Sequence, residues 1–198
     1  VETTGHDAKK HSIVSIGAID LNNPKNTFYV ENRIWDGAEI LKGDPLLPGL
    51  KPALEINGFI ESEIIDPKKL LLKEAMELFF KWIENCNTKV LAGHNPYFDL
   101  DFLRTSTLMH NIKWTLGYSA VDLYSAVYLS YKQRGLQPPE KLKGNECLNY
   151  TGLPIEAIPH NALTGAKMEA EAFNRLIYGK NLLEEFKQYP VPDYLVKN

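Results

Sequence analysis

The chain lacks the patterns on which several large functional classes depend. Its 198 residues include only two cysteines, Cys86 and Cys147, with no CxxC and no histidine at zinc spacing. A disulfide framework and a zinc finger are therefore unsupported, and both thiols are expected to be buried. No run approaches the roughly 18 apolar residues of a membrane helix, and the first residues carry no basic-then-apolar leader. A cytoplasmic protein with no membrane contact is the expectation. The absence of GxGxxG and GxxxxGK[ST] removes support for phosphate-cradling nucleotide folds, and the absence of GxSxG removes support for an α/β hydrolase. There is no basic excess either: 22 Lys and Arg stand against 25 Asp and Glu, a net charge of −3. That balance argues against coating long nucleic acid through a basic surface and permits a compact acidic pocket that works through bound cations.

What is present is an ordinary globular composition, 44% hydrophobic, and enough chain for one domain with a full core. HSIVSIGAIDL at 11–21 and NTFYVENRI at 26–34 are β-branched runs separated by the turn formers NNPK, which predicts an antiparallel hairpin. The stretch 36–67, mixed in charge and rich in glycine and proline, reads as a long irregular segment bordering a cleft. From 69 to 86, Leu71, Ala75, Leu78, Phe79, Trp82, Ile83 and Cys86 make one apolar stripe, the clearest helix of the chain. TKVLAGHN then reads as a strand, FDLDFLRTSTLMHN as a helix, GYSAVDL as a strand and LYSAVYLSYKQ as a helix. QPPEKLKGN links helices, and the last long helix follows PHNALTG and ends near Gly179, a natural C-cap. Strands alternating with helices predict an α/β fold with a mixed sheet.

Three stretches place acids or a histidine where elements end: VETTG at the start, HNPYFDLDF after the third strand, and PHNALTG before the last long helix. Their order resembles the DEDD superfamily of 3′-to-5′ exonucleases, in the branch whose last motif carries a histidine. VETTG matches the family's DxETTG from its second position, His94, Asn95, Phe98 and Asp99 match HNxxFD, and His160, Ala162 and Ala166 match HxAxxDA. Asp122 in AVDLYSAVYL is similar to the family's strand-to-helix junction. The resemblance spans nearly the whole chain and implies a ribonuclease H-like mixed β-sheet flanked by helices, in a single exonuclease domain covering 1–198. It also implies that the first aspartate and the start of its strand precede Val1.

The resemblance makes Glu2 and Asp99 metal ligands, His160 the general base, and Thr3 and Asn95 contacts to the terminal nucleotide; Phe98 or Tyr97 would stack on a base. Two divalent cations, Mg²⁺ or Mn²⁺, are the expected cofactors, because hard carboxylate ligands hold them and they activate water against an anionic phosphorus. The departure falls at position 165, where the family's final aspartate would be and this chain has glycine. A glycine inside a helix costs about 1 kcal/mol relative to alanine, and nothing in the local sequence asks for it. Loss of that ligand predicts impaired hydrolysis, with Glu169, one turn further on, as a candidate to reach back. The expected activity is removal of nucleotides from 3′ ends of single-stranded DNA or short RNA. The alternative is a catalytically silent nuclease-fold module that binds nucleic-acid ends or a polymerase-like partner. Some family members are dimers, so a homodimer is an open expectation here.

Overall fold

The computed structural model describes residues 1–43 and 51–196. The chain opens with β1 (Glu2–Thr3), which pairs antiparallel with β2 (Ile13–Asp20), and β2 turns back on β3 (Asn23–Arg33) in the expected hairpin. The turn is tighter than NNPK suggests. It lies at Leu21 and Asn22, and Pro24 falls inside β3 between the paired residues Asn23 and Thr27. Proline cannot donate to a ladder, so a bulge is where a strand tolerates it.

The segment read as irregular is more ordered than expected. It carries α1 (Ala53–Asn57) and α2 (Glu61–Ile64), followed by β4 (Leu70–Leu71), which runs parallel to the end of β3. Helices of five and four residues are too short to display a periodic stripe. Residues 44–50 of that segment lie outside the described residues.

Next come α3 (Leu72–Glu84), β5 (Leu91–Gly93), α4 (Pro96–His110), β6 (Ala120–Asp122), α5 (Leu123–Gln133), α6 (Gly144–Tyr150) and α7 (Ala162–Tyr178). A 3₁₀ turn at Glu184–Phe186 follows in the tail. The fold is mixed α/β: a four-stranded mixed sheet in the order β1-β2-β3-β4, and a parallel β5–β6 pair.

Two apolar clusters hold these elements. Ile13 and Ile16 of the hairpin pack with Met76, Phe79 and Phe80 of α3 and Phe102 and Leu103 of α4. Leu123 and Val127 of α5 pack with Cys147 and Leu148 of α6 and Met168, Ala172 and Phe173 of α7. Both cysteines are free and buried, as expected.

One glycine decides how the layers meet. A Cβ on Gly17 would stand 2.1–2.4 Å from backbone atoms of Ala162 and Leu163, so the first turn of α7 lies directly on β2. Asn161 caps that turn, its side chain accepting from the N–H groups of Leu163 and Thr164. The residues just before α7 are thereby brought beside β1. At its other end α7 stops at Gly179, whose φ of 65° is the left-handed cap anticipated from the sequence.

Candidate active site

Glu2 on β1, Glu156 in the loop before α7, and His160 at the end of that loop bring ligand atoms within 4.8 Å of one another. Asp99, in the first turn of α4, and Glu169 on α7 line the same cavity, about 560 Å³ in volume, together with Glu2, Glu156 and Gly165. Four carboxyl groups thus line one cavity from β1, α4, α7 and one loop, and the imidazole stands beside two of them.

The loop is fixed by α1. The His160 N–H donates to the Ile56 carbonyl at 2.8 Å, and the Asn57 side-chain amide donates to the Thr3 carbonyl at 3.0 Å. A short helix in the supposedly irregular segment therefore ties β1 and the histidine-bearing loop to one support. Gly58 ends it at φ 75°, and a Cβ there would lie 2.5 Å from Pro159, so both conformation and space require glycine.

The expected residues divide into several surroundings. Glu2 is half-buried, and burial, aided by the nearby Glu156 and Asp99, raises its carboxyl above the ordinary range. Asp99 accepts from the amino group of Val1 at 2.6 Å. Thr3 is buried with its hydroxyl donating to the Gly5 carbonyl, so its side chain is engaged by its own strand end. Asn95 is exposed in the left-handed region at φ 51°, and its N–H donates to Asp122. Phe98 packs against Phe102, ring centroids 4.9 Å apart, with His6 edge-on at 6.4 Å. That is largely a core position whose edge reaches the cavity. Tyr97 is 66% exposed and Asp101 points to solvent.

Asp122 serves the scaffold. It caps α5 and also takes the Asn95 N–H and the Ser125 hydroxyl. Burial pushes its carboxyl upward, but the Ser125 hydroxyl and three backbone N–H groups outweigh that and leave it below the ordinary value. The turn carrying His94 and Asn95 is thereby locked to the start of α5.

Glu156 is the residue the sequence did not single out. Its carboxylate lies over the bare Cα of Gly165: a Cβ at 165 would be 2.9 Å from Glu156 Oε1. The other oxygen stands 3.6 Å from His160 Nδ1, an electrostatic contact too long for a hydrogen bond. Burial pushes the Glu156 carboxyl up to about 7. Glycine at 165 therefore leaves the space that a loop carboxylate occupies. It is not obligatory, since the neighbour is the far end of a flexible side chain.

Glu169 does not reach toward Gly165. Its carboxylate lies at the end of β5, within 3.0 Å of where a Gly93 Cβ would stand, and accepts the His94 N–H. Burial, with Asp99 nearby, pushes it up to about 8. Crowded, poorly solvated carboxyls form a donor set whose charge cations can balance. Two hard carboxylates and an imidazole within 4.8 Å fit Mg²⁺ or Mn²⁺ by donor chemistry.

No protein-family model and no curated protein matches the chain. The one signal that could have exposed Glu156 beforehand is its spacing, four residues before the histidine read as the base. Proximity to Glu2 and Gly165 is tertiary and leaves no trace in local sequence.

Proposed function

We propose that the chain is a metal-dependent 3′-to-5′ exonuclease of the histidine-containing DEDD type, acting on 3′ ends of single-stranded DNA or short RNA and weakened by Gly165. The observation that carries this reading is the convergence of Glu2, Glu156 and His160 within 4.8 Å, on a cavity that Asp99 and Glu169 also line. A ribonuclease H-like sheet is the corresponding finer reading of the fold. Support for it comes from the antiparallel order β1-β2-β3 and the separate parallel β5–β6 pair.

Mg²⁺ or Mn²⁺, when bound, offsets phosphate charge and makes a water acidic enough to attack phosphorus at neutral pH. Glu2 and Asp99 present carboxylate oxygens from β1 and α4. Glu156 supplies, from the loop, a carboxylate beside the position where the family places one on the helix. His160 faces Glu156 through Nδ1, which orients the ring and leaves Nε2 to hold the proton released by the attacking water. Glu169, bound to the His94 N–H, fixes the turn that carries Asn95.

Release of mononucleotides from 3′-labelled single-stranded DNA and RNA with Mn²⁺ tests this. The protein should release label from the 3′ end, His160→Ala should lose about 100-fold or more, and Gly165→Asp should gain activity by restoring a helix carboxylate. If neither the protein nor Gly165→Asp cleaves while both bind the strand, the silent binding module replaces this reading. Gly165 is the observation that favours that second reading.

A further inference from the structure

The outer face of α5 carries a feature that the site chemistry does not use. Tyr124 and Tyr128 point to solvent at 41% and 37% exposure, while Leu123 and Val127, one residue before each, are buried. Their rings lie 6.3 Å apart and within 20° of parallel. One turn further on, the Lys132 ammonium sits 5.7 Å from the Tyr128 ring centroid and also donates to Gln137. The three residues recur every fourth position, so they form a row rising about 6 Å per step along the helix.

The row begins one residue after Leu123. Leu123, the first residue of α5, lines a second cavity of about 250 Å³ with His94, Lys143, Glu156 and His160. Asp122, its N-cap, holds the Asn95 N–H. The charge of this region is also the reverse of the whole: residues 123–145 contain Lys132, Arg134, Lys141 and Lys143 against Glu140 alone, in a chain of net charge −3.

We propose that Tyr124, Tyr128 and Lys132 seat the bases and backbone of a single-stranded nucleic acid whose 3′ end enters the pocket at Glu156 and His160. Parallel exposed rings offer π-faces that any unpaired base can stack on, and Lys132 beside them can meet a phosphate. A duplex would keep its bases stacked on each other and gain nothing from these rings. The inference rests on the exonuclease reading for its direction, with the 3′ end toward the carboxylates, but the binding it describes is measurable without hydrolysis.

The test is fluorescence anisotropy of 5′-labelled dT12 and rU12 in EDTA, with Tyr124→Ala, Tyr128→Ala, Tyr128→Phe and Lys132→Gln. Each tyrosine-to-alanine change should weaken 12-mer binding by about 5- to 100-fold. Tyr128→Phe should stay close to the parent, and Lys132→Gln should lower the salt slope by about one ion. Metal-dependent hydrolysis by the parent of the dinucleotide pTpT, too short to span the row, reads the site separately. No 12-mer binding by the parent, affinities within about twofold for the alanine variants, or a change of oligomeric state on light scattering would each overturn the proposal, the last by marking the face as a protein interface. If the alanine variants lose 12-mer binding and the parent does not hydrolyse pTpT, the track stands and the exonuclease reading fails; the opposite pattern fails the track alone.

Discussion

Helix α7 carries two charged groups of opposite character. In its C-terminal half, Glu171 and Arg175 are fully buried, and their charges are answered on every side. Glu171 Oε1 takes Arg175 Nε at 2.8 Å and Oε2 takes the Leu182 and Leu183 N–H groups, while Arg175 donates to the Thr151, Phe186 and Tyr189 carbonyls. Toward its N-terminus, Glu169 shares a cavity with Glu2, Asp99 and Glu156, four carboxyls whose partners include the Val1 amino group on Asp99, the His94 N–H on Glu169 and the His160 ring beside Glu156. The first arrangement is complete within the chain and fastens the tail after Gly179 to α6. The second crowds like charges together, and that crowding is a cost to the fold that a bound cation would offset. A satisfied buried pair marks architecture; crowded carboxyls mark a place for something else.

Breaking the satisfied pair should produce the largest effect. Glu171→Ala leaves a buried guanidinium without its carboxylate and should cost about 3–5 kcal/mol, a fall of about 10 °C in Tm by calorimetry. Equal loss on Glu169→Ala would erase the contrast.

The acid cluster should respond in the opposite sense. Glu156 and Glu169 hold protons up to about 7 and about 8 in the fold, whereas the unfolded chain releases them near 4.5. Between those limits the folded state binds more protons, so the metal-free protein should lose stability as pH rises from 5 to 8. Glu169→Gln should flatten that slope and raise Tm at pH 8 by about 3–6 °C, on the order of 1–2 kcal/mol. A metal-free Tm that rises with pH would contradict the crowding. Mn²⁺ should raise Tm more at pH 8 than at pH 6, where protons compete for the same oxygens. The smallest effect belongs to the exposed Lys187–Glu184 pair: Lys187→Ala should change stability by no more than about 0.5 kcal/mol.

The sequence disclosed the parts governed by local rules. Helix α3, the extent of α5 and the left-handed cap at Gly179 are readable because periodicity and capping act over a few residues, although the stripe drawn on α3 takes in Leu71 and Leu78, which are exposed, and misses Leu72, Met76 and Phe80, which are buried. The fold class followed from the alternation of elements. Helices α1 and α2 were not readable, since five and four residues cannot show a period, yet α1 holds both Thr3 and His160 in place. Glu2, Asp99 and His160 were expected together; Glu2 and His160 fall in one cluster with Glu156, and Glu2 and Asp99 line one cavity. Glu156 escaped because a loop residue nine positions before Gly165 becomes its neighbour only when α7 packs on β2 over Gly17. The empty helix position and the carboxylate that lies over it are one feature seen from two sides, and only the first is written in the sequence.

The most direct test of the account is a Mn²⁺ titration followed by electron paramagnetic resonance at pH 7.5, comparing the protein with Glu156→Gln and Asp101→Ala. The protein should bind Mn²⁺ saturably, Glu156→Gln should weaken binding by about tenfold or more, and the solvent-facing Asp101→Ala should leave it unchanged. Equal affinity in all three, or no binding at millimolar Mn²⁺, would contradict the claim that these carboxyls form a cation site.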